Sequence, residues 1–215
     1  MKGISCKKFF GLFVLILLLC CGCSKVKESY NVVAEEYTWA EEDMDIEVSY
    51  PQIKSGTFNV DVVNQMIKDV AVKGYNEPYE FERIGLTVSV DYEIIYQTEN
   101  IFSVMFQGVA NVKGAAHPTN LCYAVTVDLK EQTVLGMNSF WNEQKDIFRQ
   151  IEEGGYAVVQ GGMQTFSKDK ISEKVAEVYE RQLTDNIYID EEAVYLIVTD
   201  LPYAMGSYSV LRFEN

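Results

Sequence analysis

Residues 86–129 read LTVSVDYEIIYQTENIFSVMFQGVANVKGAAHPTNLCYAVTVDL, and the period of this stretch decides the fold. Leu86, Val88, Val90, Tyr92, Ile94 and Tyr96 alternate without a break, which predicts a long half-buried strand. Thr98-Glu99-Asn100 turns the chain, and Phe102, Val104, Phe106, Gly108, Ala110 and Val112 alternate again, giving a β-hairpin. Beyond Gly114 to Thr119 a third strand runs through Leu121, Tyr123, Val125, Val127 and Leu129. Lys130 to Thr133 then turn it into Val134-Leu135.

Outward from this core the signals are shorter. Ile46, Val48 and Tyr50 predict a strand ended by Pro51. Asn59 is placed to cap a helix whose Val60, Val63, Ile67 and Val70 share a face, with Gly74 to stop it. Downstream, Phe140 and Trp141 precede a helical stretch with Ile147, Phe148 and Ile151, closed by Gly154-Gly155. Ile171, Val175, Val178 and Leu183 recur at helical spacing. Residues 187–189, 193–198 and 208–213 read as three more strands, with Pro202 to Ser207 as a loop before the last. Strands joined by tight turns, with helices in separate blocks, predict α+β: a mainly antiparallel sheet with two or three helices packed on it.

Composition excludes much chemistry. The 215 residues carry 18 Lys plus Arg against 32 Asp plus Glu, a formal net charge of −14. Such a surface repels phosphate backbones, so nucleic acid is not an expected partner. One histidine rules out two-histidine zinc motifs. Of five cysteines, Cys6, Cys20, Cys21 and Cys23 crowd the N-terminus and leave Cys122 alone, so neither a disulfide framework nor a four-cysteine metal site is available. No phosphate-binding glycine motif is present. No metal and no cofactor is expected.

The N-terminus predicts the compartment. Lys2, Lys7 and Lys8 precede the apolar run Phe9 to Leu19, too short to span a bilayer but right for a signal peptide. It leads into Leu18-Leu19-Cys20-Cys21-Gly22-Cys23, which resembles the lipobox of bacterial lipoproteins. Gly22 favours Cys23 over Cys21 as the lipidated residue, since a small residue precedes it. The expected organisation is a signal peptide at 1–22, a lipidated tether at 23–43 and a domain at 44–215, divisible into 44–112 and 113–215. The tether's Tyr30, Val32, Val33, Tyr37 and Trp39 leave room for part of it to dock as a strand. Cleavage removes three lysines and no acid, leaving 15 basic and 32 acidic residues, net −17. The expected location is the extracytoplasmic face of the membrane, held by an N-terminal diacylglycerol.

Few residues suggest catalysis. His117, in Gly114-Ala115-Ala116-His117-Pro118, is a lone base candidate, but a base needs an orienting partner and spacing identifies none. With Pro118 it reads as a structural turn residue. Cys122 lies on the face opposite Leu121 and Tyr123 and reads as a small buried thiol. Glu35-Glu36, Glu41-Glu42-Asp43, Glu152-Glu153 and Asp190-Glu191-Glu192 are acidic runs of the kind that face solvent. No catalytic constellation is visible, so the chain is not read as an enzyme. The loop Pro202-Tyr203-Ala204-Met205-Gly206 is apolar and aromatic, and Pro202, Tyr203 and Met205 are candidate ligand-binding residues.

Three ordered patches carry a family resemblance. They are Val48-Ser49-Tyr50-Pro51-Gln52-Ile53 with Asn64-Gln65-Met66-Ile67; Gly114 to Pro118 with Val127-Asp128-Leu129 and Ser139-Phe140-Trp141; and Tyr188-Ile189-Asp190 with Pro202 to Gly206. Together they resemble the extracytoplasmic domain shared by PdaC-type peptidoglycan deacetylases and the lysozyme-sensing anti-sigma factor RsiV, over residues 44–215. Lys130 to Thr133 depart from the Thr-Gly turn of many relatives. Deacetylation cannot be carried over, because one histidine cannot supply the metal ligands. Sigma-factor sequestration cannot either, because about eight residues precede the apolar run. The resemblance implies a non-catalytic binding module for an envelope ligand, with a lysozyme-like protein as the candidate. A peptidoglycan or glycan ligand, stacking on Tyr203, Trp39 or Trp141, is the alternative, and a hydrolase of unknown type ranks last.

Overall fold

The alternation in residues 86–129 becomes the centre of a six-stranded sheet in the computed structural model, which describes residues 30–41, 43–73, 85–161, 166–199 and 208–214. Its strands are β1 (Val32–Glu41), β2 (Met44–Ile53), β3 (Leu86–Gln97), β4 (Ile101–Val112), β5 (Thr119–Asp128) and β6 (Thr133–Val134), adjacent in chain order. All pairs are antiparallel except β2 with β3. That parallel pair needs a crossover, and helix α1 (Val60–Ala71) lies within it. The Asn59 side chain caps α1 at the Val62 N–H, and Val63, Ile67 and Ala71 are buried against the sheet.

A second sheet holds β7 (Ala157–Gln160), β8 (Ile187–Ile189), β9 (Ala193–Thr199) and β10 (Tyr208–Glu214), in the order β7-β10-β9-β8. Helices α2 (Met137–Phe140), α3 (Gln144–Glu153) and α4 (Lys168–Glu180) precede or interrupt it. Period two divides its side chains between two cores. Val194, Leu196, Val198, Leu211 and Phe213 pack with Ile147, Ile151, Ile171 and Val175 of the helices. Tyr188, Ile197 and Val210 turn the other way and pack on Met105 and Ala124 of the first sheet. The layers run α1, first sheet, second sheet, then α3 and α4.

The α+β class holds, with differences in detail. Two sheets replace the single expected one, and four helices are described, because the four-residue α2 carries too few residues to show a period. Residues 32–41, expected in the tether, pair along their whole length with β2. Tyr37 and Trp39 of β1 pack on the core, which is where an edge strand gains its stability. The expected division at 112/113 falls inside the β4–β5 hairpin; the change of sheet comes between Val134 and Ala157. Pro51 does not end β2 but sits in it opposite Ala34. The β2–β3 ladder stops at Val48 and Val90, so the N–H that proline lacks has no ladder partner to lose there. Gly74 lies outside the described residues; α1 ends at Ala71, with the Val72 N–H bonded to the Lys68 carbonyl at 2.9 Å.

Candidate functional site

The face of the first sheet opposite α1 is covered over only part of its width. Alternation puts Thr38, Glu47, Ser89, Val109 and Asn120 in one row across β1 to β5, by direct register. A second row holds Ala40, Asp45, Thr87 and Asn111. Glu36 pairs with Ser49, while Asp91 aligns with Gln107 and Cys122. The next row, Glu93, Met105 and Ala124, is where the second sheet begins to cover the first. The uncovered rows present Glu36, Asp45, Glu47 and Asp91, with Glu93 exposed at the border of the covered row, and the one basic residue at their end is Lys113, paired with Asp43 at 3.5 Å. A flat face of carboxylates and small polar groups attracts cationic partners and desolvates at low cost at its small residues.

At the step between the sheets a hollow of about 200 Å³ is lined by Asp91, Tyr92, Glu93, Met105 and Gln107. Its back is a polar cluster between the sheets. Tyr208 accepts hydrogen bonds at its hydroxyl from Gln107 Nε2 at 3.1 Å and Gln160 Nε2 at 2.6 Å, and is hydrogen-bonded to Cys122. Burial pushes the Cys122 thiol up to about 12, against the pull of its bonds to Tyr208 and Gln107. A thiol held protonated is a poor nucleophile. Tyr188 stacks on Tyr195 with centroids 4.6 Å apart and planes at 5°. Burial, followed by the nearby Cys122, raises the pKa of Tyr188. The Tyr195 hydroxyl donates to Asp190 Oδ2 at 2.7 Å. Burial works to raise the Asp190 pKa, but that bond and the Glu192 and Ala193 N–H groups outweigh it and hold the carboxyl below its ordinary value.

The residues singled out from sequence are not gathered here. His117 and Pro118 are exposed in the β4–β5 connection, whose turn is closed by the Ala115 N–H on the Val112 carbonyl at 2.9 Å. No side-chain hydrogen bond of His117 is seen among the described residues. Pro202, Tyr203 and Met205, like Cys23, lie outside the described residues; Thr199 and Tyr208, which flank the 200–207 segment, are register partners in the second sheet. Trp141 is 5% exposed and packs edge-on against Phe213, so it offers no sugar platform. Trp39 is half-buried against the core. Among the described residues no group of three or more His, Cys, Asp or Glu side chains is placed to hold a metal. No helix among them is long and apolar enough to cross a membrane.

Sequence reasoning passed over Asp91, Glu93, Gln107 and Tyr208. Polar residues at alternate strand positions look alike from sequence whether they face solvent or a ligand. One signal was present: Met105 and Ala124 interrupt the polar face at the positions the second sheet covers.

Two solved structures share the arrangement of layers. The chain is similar to a DUF3298 family protein of Pseudomonas aeruginosa PAO1, with a TM-score of 0.51 and 11% identity, over 86% of this chain and 89% of that one. It is also similar to a DUF3298 family member of Bacteroides fragilis NCTC 9343, with a TM-score of 0.52 and 8% identity, over 87% of this chain and 92% of that one. The likeness is one of fold. Neither a family model nor a curated protein matches the sequence.

Proposed function

We propose that this chain is a membrane-anchored, non-catalytic binding module on the outside of the cell membrane, and that its ligand is a basic protein of the lysozyme type. The observation that carries the reading is the uncovered sheet face, where Glu36, Asp45, Glu47, Asp91 and Glu93 outnumber the one lysine at its end, Lys113, which is paired with Asp43 at 3.5 Å. A strongly basic ligand is steered to such a face and held in register by it. The resemblance to the RsiV and PdaC extracytoplasmic domain supplies the ligand class, and the fold likeness to DUF3298 proteins, a domain type shared with them, supports that resemblance at the level of fold. The protonated Cys122 thiol and the exposed His117 argue for binding rather than catalysis.

The test is binding of a basic animal-type lysozyme to the immobilised chain at low and high salt. The expected result is saturable binding that weakens at least about tenfold as the Debye length shrinks from roughly 10 Å to 3 Å. Replacing Asp45, Glu47, Asp91 and Glu93 together by their amides should lower the association rate at low salt by a similar factor. Absence of binding at low salt, or binding that salt and the four amides leave unchanged, overturns the reading.

A further inference from the structure

A second hollow, of about 400 Å³, opens where α3 meets β7 and β10, and shares no residue with the acidic face. One wall is bare backbone. Gly154 ends α3 in the left-handed region at φ 77°, and the Gly155 N–H bonds the Gln150 carbonyl at 2.8 Å. A Cβ on Gly155 would stand 3.3 Å from that carbonyl oxygen, closer than side chains ordinarily come. The pair therefore keeps the wall free of side chains.

The remaining groups are mostly polar, and Gln150 and Arg212 are held in place. Gln150 Oε1 accepts from Trp141 Nε1 at 2.9 Å. An indole N–H only donates, so this bond settles the amide's orientation and leaves Nε2 as a donor. The Arg212 guanidinium is held by Glu214 at 2.7 Å and Glu192 at 3.2 Å. Glu153 is exposed on the rim, with no ion pair among the described residues. Tyr156 and Ala157 complete the lining; the half-buried Tyr156 ring lies tilted on Phe213, with centroids 6.2 Å apart.

The lining decides the ligand class. Carboxylates of Glu153 and Glu214 outnumber the one guanidinium, which disfavours phosphates and other anions. A cationic amine would meet Arg212. An apolar molecule would strip water from four polar side chains without replacing their hydrogen bonds. A neutral ring bearing vicinal hydroxyls satisfies them all, since each hydroxyl both donates and accepts, and its C–H face suits an aromatic ring. The volume falls within the usual range of small-molecule sites and accommodates one or two such rings. We propose that this hollow is a carbohydrate subsite taking a pyranose unit of a neutral glycan, with Gln150, Glu153, Tyr156, Arg212 and Glu214 as its contacts.

The probes are chitotriose, cellotriose and maltotriose, titrated separately into the full-length ¹⁵N-labelled chain in a sugar-free detergent. The sequence has two tryptophans, so two indole N–H signals are expected, and that of Trp141 reports on Gln150 directly. The expected result is a saturable shift of the Trp141 signal with at least one probe, at an affinity on the order of 1 mM. Glu153→Ala, at an exposed helix end, should weaken it at least about fivefold with the rest of the spectrum unchanged, and Tyr156→Leu should do the same. Asp91→Asn, on the acidic face, should leave it alone. No saturable shift with any of the three sugars overturns the proposal, as does binding that survives both Glu153→Ala and Tyr156→Leu. Neither outcome bears on lysozyme binding, so the two readings fail separately.

Discussion

Ser103 Oγ and Thr126 Oγ1 lie 2.9 Å apart, wholly buried where the two sheets meet. The Ile189 N–H donates to Ser103 Oγ at 3.0 Å, and Thr126 Oγ1 donates to the Ile187 carbonyl at 3.2 Å. Each hydroxyl has one proton, so Ser103 must donate to Thr126. A relay of three bonds thus ties the Ile187 carbonyl and the Ile189 N–H of β8 to β4 and β5. Thr126→Val leaves the Ile187 carbonyl and the Ser103 proton unpaired, and should cost about 1–3 kcal/mol. Ser103→Ala should cost a comparable amount by stranding the Ile189 N–H. Chemical denaturation of both single variants and the double variant should show coupling above about 0.5 kcal/mol. Strict additivity would mean the hydroxyls act independently.

Asp190 ties acid stability to the second sheet. Its folded-state pKa lies below the ordinary 3.8, so its contribution is present above that pH and is lost as pH falls through the lowered value. Asp190→Asn keeps an acceptor for the Glu192 and Ala193 N–H groups but removes the charge. The variant should melt below the wild type near neutrality, and the two melting temperatures should converge as the pH drops towards 2. A gap that stays constant down to that pH would contradict the assignment.

Cys122 should resist alkylation. With its pKa raised to about 12, almost no thiolate exists at pH 8, and the half-buried position limits access. Iodoacetamide at pH 8 should leave Cys122 unmodified in the folded chain and label it fully in denaturant, as peptide mass spectrometry would read. Rapid labelling of the native chain would revive a reactive-thiol reading.

Gly108 sets the closeness of β3 and β4. A Cβ there would fall 2.1 Å from the Ser89 carbonyl oxygen and 2.8 Å from Val90 Cα, both backbone. Gly108→Ala therefore forces the strands apart, and should cost about 3 kcal/mol or more. A melting temperature within a degree or two of the wild type would show that the ladder yields more easily than its backbone contacts indicate.

Intact-mass and N-terminal peptide analysis of the membrane-extracted protein should find a diacylated Cys23 as its first residue. A chain beginning at Met1 or at Cys21 would refute the assignment.

The three central strands were legible because β3, β4 and β5 keep period two in sequence along most of their length. Helix α1 was legible because Asn59 and the spacing of Val63 and Ile67 agree. β1 was harder: Glu35-Glu36 and Ala34 blur its alternation, since an edge strand needs only a few core contacts such as Tyr37 and Trp39. β7 is four residues long and mostly exposed, so burial left almost no trace in its composition. The acidic face and the glycine-walled hollow were illegible for another reason. They arise from register and from the meeting of α3 with β10, contacts between residues far apart in the chain.

Tyr30 carries a consequence for reach. Its ring meets Phe58 and Phe102 edge-on, its hydroxyl bonds the Thr98 carbonyl at 2.9 Å, and it is 3% exposed, so the folded body is already anchored at that residue. With Cys23 as the acylated residue, only 24–29 lie between lipid and body, a leash of about 25 Å at full extension. A body so anchored would work within a few nanometres of the bilayer and would not reach the outer part of a wall. On the proposed anchoring and ligand, a protein would have to penetrate to the membrane before this one could hold it, so occupancy would report a breach of the wall rather than mere presence outside the cell.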